Sequence, residues 1–242
     1  MNFVKLYGLN HSGSHYLSWL LNNNFKDMVI LHSHTGWNHG AIVDYFDWDS
    51  MNWNDPSLSK PKKERQSILL KQEELNSGKS ISEYKTEIES LYKNKELPLL
   101  ILMRNPISWI HSYNIVHEKQ HWESTLNSAI DLWNKINKNY IENSWPKKHI
   151  IKYENLRDNT KEEMIKISNF LGLELNDDFT NTKKDAVQMS NRISEISKFR
   201  NSANYDRCKQ DHMLVYGLES DEFDEIVENN FDKEVINFYN NL

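Results

Sequence analysis

The sequence predicts an α/β fold, a three-layer arrangement in which a central parallel sheet is flanked by helices. Three observations carry that expectation. Short, near-continuous apolar runs occur at Phe3–Tyr7, Met28–Leu31, Leu97–Met103 and His149–Tyr153, as expected of strands buried on both faces. Helical patterns separate these runs, which suits crossover connections between parallel strands. The first run leads through a glycine-bearing loop, Gly8 to Tyr16, straight into a helix pattern. Ligands of such folds sit at the carboxyl ends of the strands, so the residues that follow each run are the candidate site residues.

In chain order, strand Phe3–Tyr7, helix Ser14–Asn23 with its apolar Leu17, Leu20 and Leu21, and strand Met28–Leu31 form a βαβ unit. Between about 36 and 96 the sheet pattern lapses. Trp37 to Asp55 is dense in Trp, Asp and Asn. Lys60–Asn76 and Ser80–Lys93 read as two polar, charge-laced helices separated by Asn76-Ser77-Gly78. The expectation for this span is a surface insertion, with a lid or acceptor-side wall as the alternative. Residues 106–142 read as helical from Pro106, which suits a first helical position. Asn159 or Thr160 can cap a helix with the stripe Met164, Ile167, Phe170 and Leu171, ending at Gly172. The tail from Asp221 to Leu242 carries amphipathic spacing.

Composition bounds the answer. A chain of 242 residues with 12% aromatics, eight Trp among them, can bury a real core and is read as a single domain over 1–242. Its net charge of -6 argues against a general nucleic-acid binder, which needs a basic face. The lone Cys208 excludes an internal disulfide and reads as a buried thiol. No run approaches the roughly 18 apolar residues of a membrane span, and the first strand begins at residue 3. The expected protein is soluble and cytoplasmic, with no membrane partner and an oligomeric state left open.

Gly8 and Gly13 keep the spacing of a nucleotide-binding G-x-x-x-x-G-K-[ST] loop, but Ser14 and His15 replace the lysine and hydroxyl residue. A metal-bound nucleoside triphosphate is therefore poorly served, while anion binding by backbone amides and the helix N-terminus survives.

Three segments share one likeness. The loop 8–16, the segment Leu99-Leu100-Ile101-Leu102-Met103-Arg104-Asn105-Pro106 continuing to His111-Ser112-Tyr113, and Ile150-Ile151-Lys152-Tyr153-Glu154-Asn155-Leu156 running to Phe170-Leu171-Gly172 together resemble the sulfotransferases that use 3'-phosphoadenosine-5'-phosphosulfate (PAPS). The match covers residues 3–34, 97–113 and 148–173. The resemblance implies a P-loop-like fold, a phosphosulfate held by His11, Ser12, Gly13, Ser14 and His15, and a cofactor-stacking aromatic at Tyr16, where some members carry tryptophan. It also implies a 3'-phosphate met by Arg104 and Ser112, and a tyrosine near the adenine at Tyr153. Arg200, with Arg192 beside it, is the candidate for a second 3'-phosphate contact. Independently of the likeness, a strand-end arginine can make a bidentate, charge-assisted phosphate contact, and a serine two turns along the next helix can return toward the same oxygens.

The departures concern charge. His11 stands where the family usually carries lysine or arginine, and Leu31-His32-Ser33-His34 aligns with a K-T-H sequence. His34 is therefore expected as general base, His11 as the protonated charge stabiliser and His32 as support. An imidazole, with its unperturbed pKa of about 6.5, can fill either role. His39 is an alternative base or acceptor contact. His32, His34 and His39 match no metal-ligand spacing, and the implied chemistry needs no metal.

The expected function is transfer of a sulfuryl group from PAPS to a hydroxyl or amine of a small-molecule or carbohydrate acceptor, releasing adenosine 3',5'-bisphosphate. Trp37, Trp48 and Trp53 with Asp44, Asp47 and Asp49 could line the acceptor side. The rival readings are a P-loop-type small-molecule or nucleotide kinase and a catalytically inactive nucleotide-binding homologue.

Overall fold

The computed structural model describes residues 2–26, 28–31, 35–46, 81–118, 126–181, 225 and 229–242. The elements run β1 Asn2–Tyr7, α1 Ser14–Asn24, β2 Met28–Leu31, α2 Ile81–Lys93, β3 Leu99–Met103, α3 Pro106–Glu118, α4 Leu126–Glu142, β4 Lys148–Lys152, α5 Tyr153–Asp158, α6 Thr160–Leu171 and α7 Lys233–Asn240. All three strand pairings are parallel, in the order β2-β1-β3-β4, with Val4 beside Ile30, Leu6 beside Leu100 and Ile101 beside Ile150. The chain steps outward from β1 to β2 and then returns to the other side of β1 for β3. The order therefore reverses between β1 and β3, and the crevice at their carboxyl ends is where such sheets bind ligands.

Strand alternation divides the core in two. Phe3, Tyr7, Leu99, Ile101 and Met103 face a layer containing Tyr84, Ile88, Trp109, Ile130, Trp133 and Tyr140. Val4, Leu6, Leu100, Leu102 and Ile151 face Leu17, Leu20, Leu21, Leu156, Met164 and Ile167. A period of two on strands buried from both sides gives this three-layer result. Strand β3 starts at Leu99 and not Leu97, because Pro98 has no N–H to pair; its carbonyl accepts from Lys5 N at 2.9 Å. Strand β4 ends at Lys152, and Tyr153 opens α5 directly.

The expected surface span from 36 to 96 is described at its two ends, and both ends enter the core. In α2, Tyr84, Ile88 and Tyr92 recur every fourth residue and are buried, while Glu89 and Lys93 pair at 2.6 Å on the surface. Tyrosines form the buried stripe of a helix whose sequence otherwise reads as polar. Ile42 joins the same cluster, and its N–H donates to Asn139 Oδ1 at 2.8 Å. Trp48, Trp53, Asp47, Asp49 and the predicted helix Lys60–Asn76 lie outside the described residues, as does Cys208.

The described residues of 106–142 are helical, as α3 and α4. Helix α6 ends on Gly172 in the left-handed conformation, as its sequence predicts. Asp232 caps α7 by accepting from the Glu234 and Val235 amides, and Val235 and Tyr239 bury the inner face of that helix. Among the described residues no helix is long and apolar enough to cross a membrane.

Candidate active site

The site begins where β1 ends. Gly8 donates its N–H to Asn38 O at 2.9 Å, and a Cβ at residue 8 would sit 3.0 Å from Leu102 O. The loop thus lies close against β3, where a larger residue would have to push Leu102 aside. Ser12 N donates to Leu9 O at 3.0 Å, and Gly13 then caps α1 with φ of 97° and no side-chain bond. A helix leaves its first amides without intrahelical acceptors. Here no side-chain cap competes for those at Ser14 to Tyr16, which is the arrangement that receives an anion.

Tyr153 and Arg104 close this cradle from the next strands. The Tyr153 ring fills the space a Cβ on Gly13 would need, at 2.5 Å, and the Arg104 guanidinium lies 4.9 Å from the centroid of the same ring. Arg104 Nη1 donates to His11 O at 2.8 Å and Nε donates to Ser108 Oγ at 3.0 Å. These bonds use two of the five guanidinium N–H groups, and the remaining Nη1 and Nη2 hydrogens are the donors a bidentate phosphate contact would use. Asn105 caps α3 by accepting from Ser108 N at 3.1 Å, with Pro106 in the first helical position.

Trp109 donates its indole N–H to Asn10 O at 2.7 Å and stacks on Tyr113 at 4.7 Å, and Tyr113 meets the His11 ring edge-on at 6.1 Å. His11 itself adopts φ of 67°, the left-handed region, so its backbone is held by its neighbours rather than by its own preference. The loop, the β3 end and the β4 end, expected from three separate sequence segments, are thereby joined in one crevice.

Other expected residues are placed as follows. Ser12 and Ser14 are buried, and His15 is exposed. Tyr16 is half-buried, with its hydroxyl 3.3 Å from Thr160 Oγ1 and donating to Asn181 Oδ1 at 2.9 Å, so it ties α1 to α6. Ser112 lies one turn beyond Ser108 on the same face of α3 and is half-buried. His32, His34, Arg192 and Arg200 lie outside the described residues.

The chain matches the Sulfotransferase domain over residues 4–240. It belongs to that family. A search of curated proteins finds no match to the sequence. The protein is thus a transferase of the sulfuryl-transferring class, and the crevice between β1 and β3 is the candidate site of this sulfotransferase. Among the described residues no group of three or more His, Cys, Asp or Glu is placed to hold a metal.

The segment that follows β2 bonds to the start of the β1 loop at Gly8. Thr35 and Gly36 have successive φ angles of 63° and 98°, and buried side chains hold both carbonyls. Tyr7 donates to Thr35 O at 2.9 Å and Lys5 Nζ donates to Gly36 O at 2.6 Å. Lys5 is fully buried, and desolvation holds its amine well below the usual lysine range. Tyr140 donates to Gly40 O at 3.0 Å, and Tyr92 to Val43 O. His39 donates from Nδ1 to Gly8 O at 2.6 Å, which puts its proton on that nitrogen and leaves Nε2 as the acceptor of the Asn38 amide at 3.1 Å. Trp37, 49% exposed, meets the His39 ring edge-on at 5.6 Å.

Ser108, Glu154 and Lys5 were not evident as site or support residues in the sequence. Ser108 had a usable signal, a hydroxyl one turn after a strand-end arginine. Glu154 lies beside Tyr153 in a recognised strand end. Lys5 had none, since lysine in a strand is ordinarily an exposed residue.

Proposed function

We propose that this sulfotransferase moves the sulfuryl group of PAPS to a hydroxyl of a small-molecule or carbohydrate acceptor, with an amine as a further possible nucleophile. One observation carries this reading. Arg104, through the His11 carbonyl and the Tyr153 ring, joins the amide cradle at Gly13 to the ends of β3 and β4. The cradle fits a terminal phosphosulfate, because its donors are backbone amides and its shape depends on an absent Cβ. PAPS supplies an activated sulfur whose bond to the bridging phosphate oxygen breaks as the acceptor oxygen bonds to it.

The chain's own residues bind, orient and move the proton. The first amides of α1 and the helix dipole meet the negative charge that grows on the departing phosphate, as would a protonated His11. His34, placed by alignment at the end of β2, takes the acceptor proton, and His32 supports it. Arg104 and Ser112 meet the 3'-phosphate, Tyr153 and Tyr16 flank the adenine, and Arg200 adds a second cationic contact. This scheme uses no metal, and the reading takes the enzyme to be cytoplasmic.

Isothermal titration tests it. Adenosine 3',5'-bisphosphate should bind without magnesium, and ATP should bind no better when magnesium is added. Tight magnesium-dependent binding of ATP with none of the bisphosphate would instead mark a kinase. The imidazoles at 11 and 32 favour one other reading, a nucleotide-binding homologue without turnover. That reading predicts binding without transfer in both the wild type and His11→Lys.

A further inference from the structure

The C-terminal helix reaches the candidate donor site through an unbroken chain of hydrogen bonds. The Tyr239 hydroxyl, buried in α7, donates to Glu154 Oε2. Glu154 Oε1 accepts from Asn105 N at 3.1 Å and shares the Ser108 hydroxyl proton, at 3.4 Å, with Asn105 O at 3.3 Å. Ser108 Oγ accepts from Arg104 Nε at 3.0 Å, and Arg104 Nη1 donates to His11 O at 2.8 Å. Six residues from α7, α5, α3, the β3 end and the phosphate loop are thus placed by one another.

We propose that Glu154 and Tyr239 are positioning residues for donor binding: they fix the α3 N-terminus and, through Ser108, the Arg104 fork that holds the phosphate loop. The inference rests on the reading of that crevice as the donor site. Neither residue touches the loop, so both act through Arg104.

Charge gives the arrangement its purpose. A carboxylate this close to an arginine would ordinarily pair with it and cancel the charge an anion needs. Here the Glu154 carboxylate is occupied by a phenol, a backbone amide and a serine hydroxyl. Among the described residues Arg104 meets a carbonyl, a hydroxyl and an aromatic face, and forms no salt bridge. The guanidinium is therefore fixed in direction while its charge stays available to phosphate. Tyr239 is suited to be a permanent donor, because burial and the adjacent Glu154 carboxylate hold its phenol far above the usual tyrosine range.

Lys152 secures the other side of the brace, with Nζ donating to Tyr239 O at 3.2 Å and lying 4.4 Å from its ring centroid. The rest of α7 docks independently. Asp232 accepts from Lys138 at 3.2 Å, its own N–H donates to Asn134 Oδ1 at 2.9 Å, and Phe231 packs edge-on against Trp133. Docking of the helix and bracing of the site can therefore be separated by mutation.

The test compares Tyr239→Phe and Glu154→Gln with Asp232→Ala, which loosens the α7 cap without touching Glu154. Two measurements are made on the full chain: titration with adenosine 3',5'-bisphosphate, and hydrogen exchange at the Asn105 and Ser12 amides. Tyr239→Phe and Glu154→Gln should each weaken binding about tenfold, the worth of one hydrogen bond to a charged group. Both should speed exchange at Asn105 and Ser12, whereas Asp232→Ala should lower the unfolding midpoint with neither effect. Unchanged affinity and exchange in both brace variants, or an equal loss in Asp232→Ala, overturns the proposal. Should Tyr239→Phe fail to fold, Glu154→Gln, which preserves shape, decides alone. If the wild type binds no bisphosphate, the donor reading has failed, and the exchange data alone judge the brace.

Discussion

Two loops leave adjacent strands of this sheet and are built in opposite ways. The loop after β1 is held by motif-bearing residues at the crevice: Arg104 on the His11 carbonyl and Tyr153 against Gly13. The segment after β2 is held from beneath by side chains that belong to no motif, the buried Lys5, Tyr7, Tyr92 and Tyr140 and the half-buried Asn139. The first can change its contacts when an anion enters, because its supports are themselves candidate ligands. The second is set by the fold alone. In a two-substrate enzyme this contrast suits a donor side common to a family and an acceptor side particular to one member.

The strongest way to break the contrast is a single Cβ. Gly13→Ala places a methyl 2.5 Å from the Tyr153 ring at a φ of 97°, whereas Gly36→Ala meets the Tyr7 hydroxyl at 3.1 Å and Val43 at 3.2 Å. Gly13→Ala should cost about 2–4 kcal/mol and abolish measurable bisphosphate binding. Gly36→Ala should cost about 1–2 kcal/mol and leave that binding within about twofold. Gly172→Ala, with φ of 66° and nothing within 4 Å, is the control for backbone strain alone at about 1 kcal/mol. Urea unfolding paired with titration checks all three, and equal loss of binding in the first two would erase the distinction between the loops.

Arg104→Lys is the next largest effect expected. The charge remains, but one ammonium cannot replace the fork that reaches His11 O, Ser108 and the Tyr153 face together. Transfer efficiency, kcat/KM for the donor, should fall about 100-fold with the unfolding midpoint little changed. An Arg104→Lys enzyme that kept wild-type efficiency would reduce Arg104 to a point charge.

The two loops also differ in how far the sequence discloses them. Gly8, Gly13 and Arg104 are legible as local patterns, a turn, a helix start and a cation at a strand end, and Tyr153 through the family likeness. The cap at Gly172 and the start at Pro106 are legible because helix ends carry local signals. The Tyr239–Glu154 bond, 85 residues apart, and the Lys5–Gly36 bond, 31 residues apart, leave no local pattern. Only the packing of strands and helices brings those groups together. Helix α2 misleads because its buried stripe is Tyr84, Ile88 and Tyr92 within a charged sequence, so a hydrophobic reading undervalues its aromatic anchors. The family likeness points to Ser112, eight residues after Arg104, and the structure joins Ser108 to Arg104.

Lys5 sharpens the contrast through pH. Its folded-state pKa is depressed by burial, so the native state favours the neutral amine while the unfolded chain stays protonated up to about 10.5. The unfolded state then binds more protons between the depressed value and 10.5, and stability must rise with pH across that window. Lys5→Met removes the titration and the bond to Gly36 O. Wild-type stability should therefore gain on the variant between pH 7.5 and 9.5, by urea unfolding, with bisphosphate affinity unaltered. A parallel pair of pH curves would mean that Lys5 is charged in the fold.

The smallest expected effect lies on the opposite face of the sheet and separates pH effects of burial from those of the site. His149 on β4 stacks on Phe170 at 5.2 Å, and its buried Nε2 has no hydrogen-bond partner among the described residues. Burial lowers its pKa; Glu163 opposes that shift and Lys166 adds to it. With the folded value below the usual 6.5, the unfolded chain takes up a proton first as pH falls. Stability contributed by neutral His149 is then complete above 6.5 and declines as the pH drops toward the folded value. His149→Phe keeps an aromatic ring on Phe170 and cannot titrate, so its stability should stay flatter than wild type between pH 6.5 and 5. The Lys5 and His149 variants should thus flatten opposite ends of the pH profile, one alkaline and one acid. Because neither side chain enters the donor crevice, neither change should move the pH dependence of bisphosphate binding. A shift in that binding profile with His149→Phe would tie the far face of the sheet to the site, and the separation between a responsive donor loop and a fold-fixed remainder would fail.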